Sequence, residues 1–251
     1  MASTNSIAKE RIKPGAWLPP WTVAEHQARY NFSANFVNDR QVVDCACGNG
    51  VGARIFLNKS PKDFHGFDVD QDAVGYASRK IVQDNVTFQK ASALSLPLSR
   101  ESKDLYISLE TIEHIQDDDR FVQEVHRVLK PNGIFICSTP NRLITNPGSV
   151  LEDAPWNHFH IREYSPSELA DLLRRYFFIE GWYGQNKNFA IKVYILNKIS
   201  KIFGKQTANL LNKALKCRWF LFKNKKIHLV RSTKQPELHE YMVVVCRRKG
   251  E

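Results

Sequence analysis

No stretch of this chain stays apolar for the ~20 residues that a membrane-spanning helix needs, so no spanning segment is expected. The opening residues, MASTNSIAKERIKPG, lack the apolar core of an export signal. The five cysteines (Cys45, Cys47, Cys137, Cys217 and Cys246) are scattered and odd in number. With no export signal, that argues against a disulfide framework and predicts reduced thiols in a cytoplasmic setting. There is no internal repeat and no low-complexity tract. Acids are missing from one region altogether: residues 186–236 hold 13 Lys plus Arg and no Asp or Glu. The whole chain carries +10, so the remainder sums to −3 and the basicity belongs to that segment alone. What is present is a chain of 251 residues, 43% hydrophobic, enough to bury a sizeable core in one large domain or one domain with an insertion.

The pattern of apolar residues divides the chain. Residues 1–20 hold Pro14, Gly15, Pro19 and Pro20 and read as an irregular lead-in, followed by a helix over TVAEHQARYNFSANFV. From Gln41, short apolar runs alternate with helical ones. QVVDCA, DFHGFDVD, VTFQKA, DLYISLE and GIFICST read as five strands, FFIEGWY as a sixth and EYMVVVCR as a seventh. Helices are predicted over Ala53–Asn58, over DAVGYASRKIVQ and over Asp119–Leu129, the last stopped by Pro131-Asn132-Gly133. A further helix opens at Ser165 with Pro166 in the first helical position and Glu168 completing a capping box. Alternating strand and helix predicts an α/β, Rossmann-like, doubly wound sheet of seven strands, mostly parallel with the last antiparallel. The expected divisions are a lead-in and cap helix (1–40), a core (41–185), a basic helical insertion (186–236) and a last core strand (237–251). Ligands of such sheets bind at the carboxyl ends of the strands, where the strand order switches.

VVDCACGNGVGA ends a strand and opens a helix there. Glycines let a backbone approach a ligand and take positive φ, and the helix that follows offers free N–H groups. Asp68 ends the second strand 20 residues after Gly48, where an acid can accept both hydroxyls of a ribose. The full G-x-G-x-x-G that suits a dinucleotide is absent, since Ala53 takes the third place. The order D-x-x-C-G-x-G, with HGFDVDQDAV, ASALSLPL, ISLETIEHIQD and LKPNGIFICSTPN after it, instead resembles class I S-adenosylmethionine-dependent methyltransferases over roughly residues 25–180. That resemblance implies S-adenosylmethionine held by Asp44, Ala46, Gly48, Gly50, Asp68, Val69, Ser92, Ala93 and Leu109, with Arg29 and Tyr30 of EHQARYNF facing the cofactor. Two positions depart from the pattern. Ala46 stands where most relatives have glycine, and its methyl is tolerable only if φ stays negative. Ser92 stands where an aspartate often bonds the adenine amino group, and an uncharged acceptor gives a weaker contact.

ETIEH, residues 110–114, puts three titratable groups at the end of the fourth strand. If a helical turn starts at Glu110, then Glu113 and His114, three and four residues on, share its face. Two carboxylates and an imidazole form a cation site lacking a fourth ligand. PWNHFHIREYS offers His158 and His160, of which only one can face a given side if the segment is extended. Glu-x-x-Glu-His with a later His-x-x-Glu-aromatic-Ser resembles metal-dependent O-methyltransferases. The ubiquinone-pathway catechol enzymes share the first part, and small-RNA 2′-O-methyltransferases share both. The resemblance implies Glu110, Glu113, His114 and His160 as ligands of a divalent cation such as Mg or Mn. Without a metal, Glu113 and His114 are structural and His160 acts alone as general base. WNHFHIREY also resembles stretches of sugar and cell-envelope glycan methyltransferases.

The basic segment reads as helical over FAIKVYILNKISKIFGK, with Ile195, Ile199, Ile202 and Phe203 on one side. It suits an anionic acceptor (a nucleotide-sugar, a lipid-linked or polymeric glycan) or a peripheral contact with the inner face of a membrane. Lysine outnumbers arginine and the aromatic platforms typical of RNA binding are few, so nucleic acid is the weaker expectation. The expected function is O-methylation of a sugar hydroxyl in a glycan or glycan precursor. The alternatives are RNA ribose 2′-O-methylation, a quinone- or catechol-type acceptor, or a non-catalytic partner subunit on the same fold.

Overall fold

The computed structural model describes residues 20–186, 229–232 and 239–250. It opens with helix α1 (Pro20–Ser33), continued by a 3-10 turn over Ala34–Phe36. Strand β1 (Gln41–Cys45), helix α2 (Val51–Phe56), strand β2 (Asp63–Asp68), helix α3 (Gln71–Lys80) and strand β3 (Val86–Lys90) follow. Then come β4 (Lys103–Leu109), a 3-10 turn (Ile112–His114), α4 (Asp118–Val128) and β5 (Leu129–Pro140). After these lie the short α5 (Arg142–Thr145), α6 (Pro166–Arg174), β6 (Phe177–Gln185), β7 (Val230–Ser232) and β8 (Tyr241–Arg248). Among the described residues no helix is long and apolar enough to cross a membrane.

The strands form one sheet in the order β3-β2-β1-β4-β5-β8-β6-β7. The first five pair in parallel, and β8 runs antiparallel between β5 and β6. The order reverses at β1, which lies between β2 and β4, so the crevice at its carboxyl end is the expected ligand position. The seven-strand expectation falls short by one. Val230–Ser232 pair antiparallel with β6 and make an eighth, edge strand inside the interval expected to be a helical insertion. Residues 187–228 and 233–238, including the helix expected over FAIKVYILNKISKIFGK, lie outside the described residues.

Period-two alternation sorts the core into two layers. Val42, Leu105, Ile107, Ile134, Ile136, Val243 and Val245 face one side and pack with Tyr30, Ala34, Ala53 and Phe56 of the α1 and α2 region. Val43, Tyr106, Phe135, Cys137, Val244 and Cys246 face the other and pack on Phe121, Val122 and Val125 of α4 and Leu169, Ala170 and Leu173 of α6. All of these are almost fully removed from water. Helix starts are set by side chains that satisfy the orphan N–H groups. Asp70 accepts from Asp72 and Ala73, Asp117 from Arg120, and Ser165 with Glu168 closes the expected capping box. The helix ahead of Pro131-Asn132-Gly133 stops at Val128, within a residue of the expected end, but β5 begins earlier than GIFICST, at Leu129, with a register shift against β4 at Lys103/Leu105 and Asn132 at φ 62°.

Candidate functional site

The carboxyl end of β1 leads into a turn with three left-handed residues: Ala46 at φ 64°, Gly48 at 54° and Gly50 at 81°. The expectation that Ala46 keeps negative φ is overturned. The turn requires a left-handed residue there, and the alanine methyl is strained against its own backbone. Asp68, at the end of β2, clamps the turn: its Oδ2 accepts from the Gly48 amide at 2.9 Å and its Oδ1 from the Asp70 amide at 2.9 Å. Cys47 N–H donates to the Phe67 carbonyl at 2.9 Å, tying the same turn to β2. Beyond Gly48 there is open space, since a Cβ built there meets nothing within 4 Å. Val69, next to Asp68, is 47% exposed, an apolar surface at the mouth of this crevice.

Asp44 lies beneath the turn, fully buried, and neither carboxylate oxygen has a hydrogen-bond partner among the described residues. Burial first, and then the charge of Asp68, push its carboxyl well above the usual range. Tyr30 and Asp44 close over Gly52, where a Cβ would come within 2.4 Å of Asp44 Oδ2 and 2.5 Å of the Tyr30 ring, so only glycine fits. Arg29 is buried on the same side. Its Nη1 donates to Gln185 Oε1 at 2.5 Å, its guanidinium stacks 4.7 Å from the Tyr241 ring centroid, and its Nε has no hydrogen-bond partner among the described residues. Leu109 is buried at the end of β4 and Ala93 half-buried. Ser92 is exposed, its Oγ accepting from the Leu94 amide at 3.2 Å, which makes a local turn beside the crevice.

ETIEH does not form the expected single helical face. Glu110 takes φ 52° and Thr111 φ −135°, so the helical turn begins only at Ile112. This sends Glu110 apart from the other two: its carboxylate accepts from Ser138 Oγ at 2.7 Å and lies 3.8 Å from Arg29 Nε. Glu113 is 1% exposed and takes Thr139 Oγ1 at 2.9 Å. Burial, then the charge of Glu110, raise its carboxyl to about 8, with His160 acting in the opposite sense. Its backbone carbonyl accepts from Ile161 and Arg162, which docks the segment around His160 onto the turn. Arg162 and Tyr164 both donate to Asp118 Oδ2, anchoring that segment to the start of α4.

The outcome is a trio. Glu113, His114 and His160 each offer a ligand atom within 4.8 Å of the others, and the two imidazoles meet edge-on with centroids 5.0 Å apart. His160 is turned inward and His158 is exposed, its ring tilted 41° to that of Phe159 with centroids 3.9 Å apart. Three of the four expected cation ligands are thus brought together and Glu110 is not. Sequence reasoning noted Glu163 only as the acid of His-x-x-Glu-aromatic-Ser, gave it no role, and missed Asn157. Glu163 Oε1 lies 2.6 Å from His160 Nδ1, and Asn157 Nδ2 lies 2.9 Å from His160 Nε2. The i,i+3 spacing of His160 and Glu163 was the available signal.

Known proteins resemble the chain in sequence and in fold. Residues 43–137 match the family described as methyltransferase domain. The chain is 32% identical over 173 residues to a probable S-adenosylmethionine-dependent methyltransferase of Mycolicibacterium smegmatis, covering 69% of this chain and 65% of that protein. It is 25% identical over 145 residues to a ubiquinone biosynthesis O-methyltransferase of Cereibacter sphaeroides, covering 54% of this chain and 58% of that one. The chain therefore spans less than two thirds of either relative's length. Its fold is shared with a Thermotoga maritima structure described as a possible histamine N-methyltransferase (TM-score 0.60, 17% identity, 91% and 93% of the two chains). By sequence and by fold, the chain is similar to S-adenosylmethionine-dependent methyltransferases.

Proposed function

We propose that the chain moves the methyl group of S-adenosylmethionine to a hydroxyl of a sugar in a glycan or glycan precursor, with a divalent cation held by Glu113, His114 and His160. The residues at the β1 turn fit the donor. Asp44 is a buried carboxylate short of partners, suited to an ammonium group, and a cation beside it would offset the burial that raises its pKa. The Arg29 guanidinium suits the donor's carboxylate. Asp68 stands at the end of β2 beside the turn, where a carboxylate suits ribose hydroxyls, and Val69 offers its exposed apolar face to the adenine.

The observation that carries the acceptor side is the convergence of Glu113, His114 and His160 at the end of β4, one strand from the glycine turn. His114 Nδ1 faces the Phe159 carbonyl at 3.0 Å; a carbonyl only accepts, so Nδ1 carries the proton and Nε2 the lone pair. Two imidazoles and one carboxylate suit a borderline divalent ion. Such an ion supplies charge stabilisation to an oxygen that is losing its proton. An aliphatic hydroxyl needs that help more than a phenol does, which favours a sugar. The +13 of residues 186–236 favours an acceptor bearing phosphate.

His160 Nε2 has one lone pair, and it can either face a cation or take the acceptor's proton. In the second use the O–CH3 bond forms as the S–CH3 bond breaks, the sulfonium becomes a thioether, and the hydroxyl proton passes to Nε2. The Cereibacter relative favours a second acceptor class, a ubiquinone-type phenol. The test is transfer of a labelled methyl group to a panel of nucleotide-sugars, lipid-linked sugars and catechols, with and without chelation. Labelled sugar lost on chelation and restored by Mn(II) supports the reading. Labelled catechol alone refutes the sugar. Turnover indifferent to chelation refutes the cation and leaves His160 as base.

A further inference from the structure

We propose that Glu163 is the positioning residue of the site: it holds the His160 proton on Nδ1, while Asn157 caps the Nε2 lone pair until a ligand displaces it. The inference rests on the reading above that Nε2 is the working atom of His160. The assignment follows outward from the backbone of one residue, Phe159. The Phe159 N–H donates to Asn157 Oδ1 at 3.2 Å, which fixes the orientation of that amide. Asn157 Nδ2, a donor only, therefore faces His160 Nε2 at 2.9 Å, so Nε2 must be the acceptor. The remaining ring proton sits on Nδ1 and is given to Glu163 Oε1 at 2.6 Å. The same Phe159 residue fixes the other imidazole, since its carbonyl takes the Nδ1 proton of His114. The backbone of Phe159 thus sets both tautomers, leaving the lone pair on Nε2 in each ring.

Glu163 is built to hold this position. It is 2% exposed, its partner His160 8%, and its second oxygen takes the hydroxyl of Thr145 from the end of α5. Each carboxylate oxygen is thus held by a different side chain, Oε1 by His160 and Oε2 by Thr145. A carboxylate behind an imidazole fixes the ring's tautomer and orientation and raises the basicity of the far nitrogen. Asn157 acts in the opposite direction. Its cap keeps Nε2 satisfied in a site without substrate, and the backbone turn that joins His160 N–H to the Asn157 carbonyl at 3.0 Å holds it in reach. It also means that a ligand reaching Nε2 must first displace a neutral amide.

The test uses the full chain with nitrogen-15 histidine and long-range proton–nitrogen correlations at alkaline pH, with the His160 signals assigned by their loss in His160→Gln. The wild-type protein should show a protonated Nδ1 and an unprotonated Nε2 on His160. Glu163→Leu should mix the two tautomers and lower turnover about 10- to 100-fold, with donor affinity unchanged. Glu163→Gln keeps an acceptor for Nδ1–H and should restore the tautomer and most of the turnover. A wild-type His160 protonated on Nε2 overturns the proposal without any variant having to fold. So does a Glu163→Leu protein that keeps both tautomer and turnover. The expected tautomer in a protein that transfers no methyl group would uphold the clamp and refute the proposed reaction, so the two failures are distinct.

Discussion

Replacing Ala46 with glycine should stabilise this protein, although glycine is normally a destabilising choice. Ala46 sits at φ 64° in the turn after β1. A left-handed conformation costs an L-residue with a Cβ roughly 1–2 kcal/mol. Glycine escapes that cost but gives the unfolded chain more freedom, about 0.4–1 kcal/mol against the fold. The difference leaves about 0.5–1 kcal/mol in favour of Ala46→Gly, a rise in Tm of about 1–4 °C for a chain of this size. Calorimetric or circular-dichroism melting reads this directly. Two comparisons sharpen it. Gly48→Ala, at φ 54° with open space around the new methyl, should show the reverse change and a similar size. Gly50→Ala should lose more, because at φ 81° its Cβ would also press on Ile81 at 3.0 Å and Ala77 at 3.1 Å. If Ala46→Gly lowers Tm as entropy alone requires, the turn is not left-handed at that residue and the reasoning fails.

Other outcomes follow from the same structure. Burial, then the charge of Glu25, push the Glu240 carboxyl up to about 8, so its stability contribution is present below the ordinary value of 4.5 and is lost as pH rises towards 8. Glu240→Gln keeps an acceptor for Asn186 and should gain on the wild type as pH rises from about 5 to about 8, by on the order of 1 kcal/mol in chemical denaturation; an equal difference at both ends would refute the shift. Gly52→Ala should fail to fold or melt far lower, since its Cβ would collide with Asp44 and Tyr30; a normal melt would contradict the packing at that point. Glu110→Gln should leave Mn(II) affinity within about threefold while Glu113→Gln lowers it 10-fold or more; an equal loss would return Glu110 to the ligand set.

The parts of this fold legible in the sequence were those governed by local periodicity and capping. Val42/Val43 and Leu105/Tyr106 divide between opposite faces as alternation requires, and Ser165 with Glu168 announced the start of α6. The misses share a cause, in that none is fixed by residue type at the position. Pro131-Asn132-Gly133 announced the end of α4, yet β5 already starts at Leu129, paired with Lys103, and crosses the tripeptide in a register shift. The edge strand Val230–Ser232 exists only because β6 offers it a partner. Glu110 and Ala46 carry no sign of positive φ, which sheet edges and the crossover impose on them. Within the site, Glu113, His114 and His160 were readable as a group because they share a chemistry. Glu163 was legible as the acid of His-x-x-Glu-aromatic-Ser, but spacing alone assigned it no contact. Burial at 2% and Thr145 on its second oxygen reveal its role.

The account depends most directly on the crevice over Gly48 accepting the methyl donor. Titration calorimetry with S-adenosylhomocysteine tests this with no acceptor needed. One saturable site, weakened at least 10-fold by Asp68→Ala and by Asp44→Ala in proteins that still melt cooperatively, is the predicted result. No saturable heat, or binding indifferent to both substitutions, would contradict it.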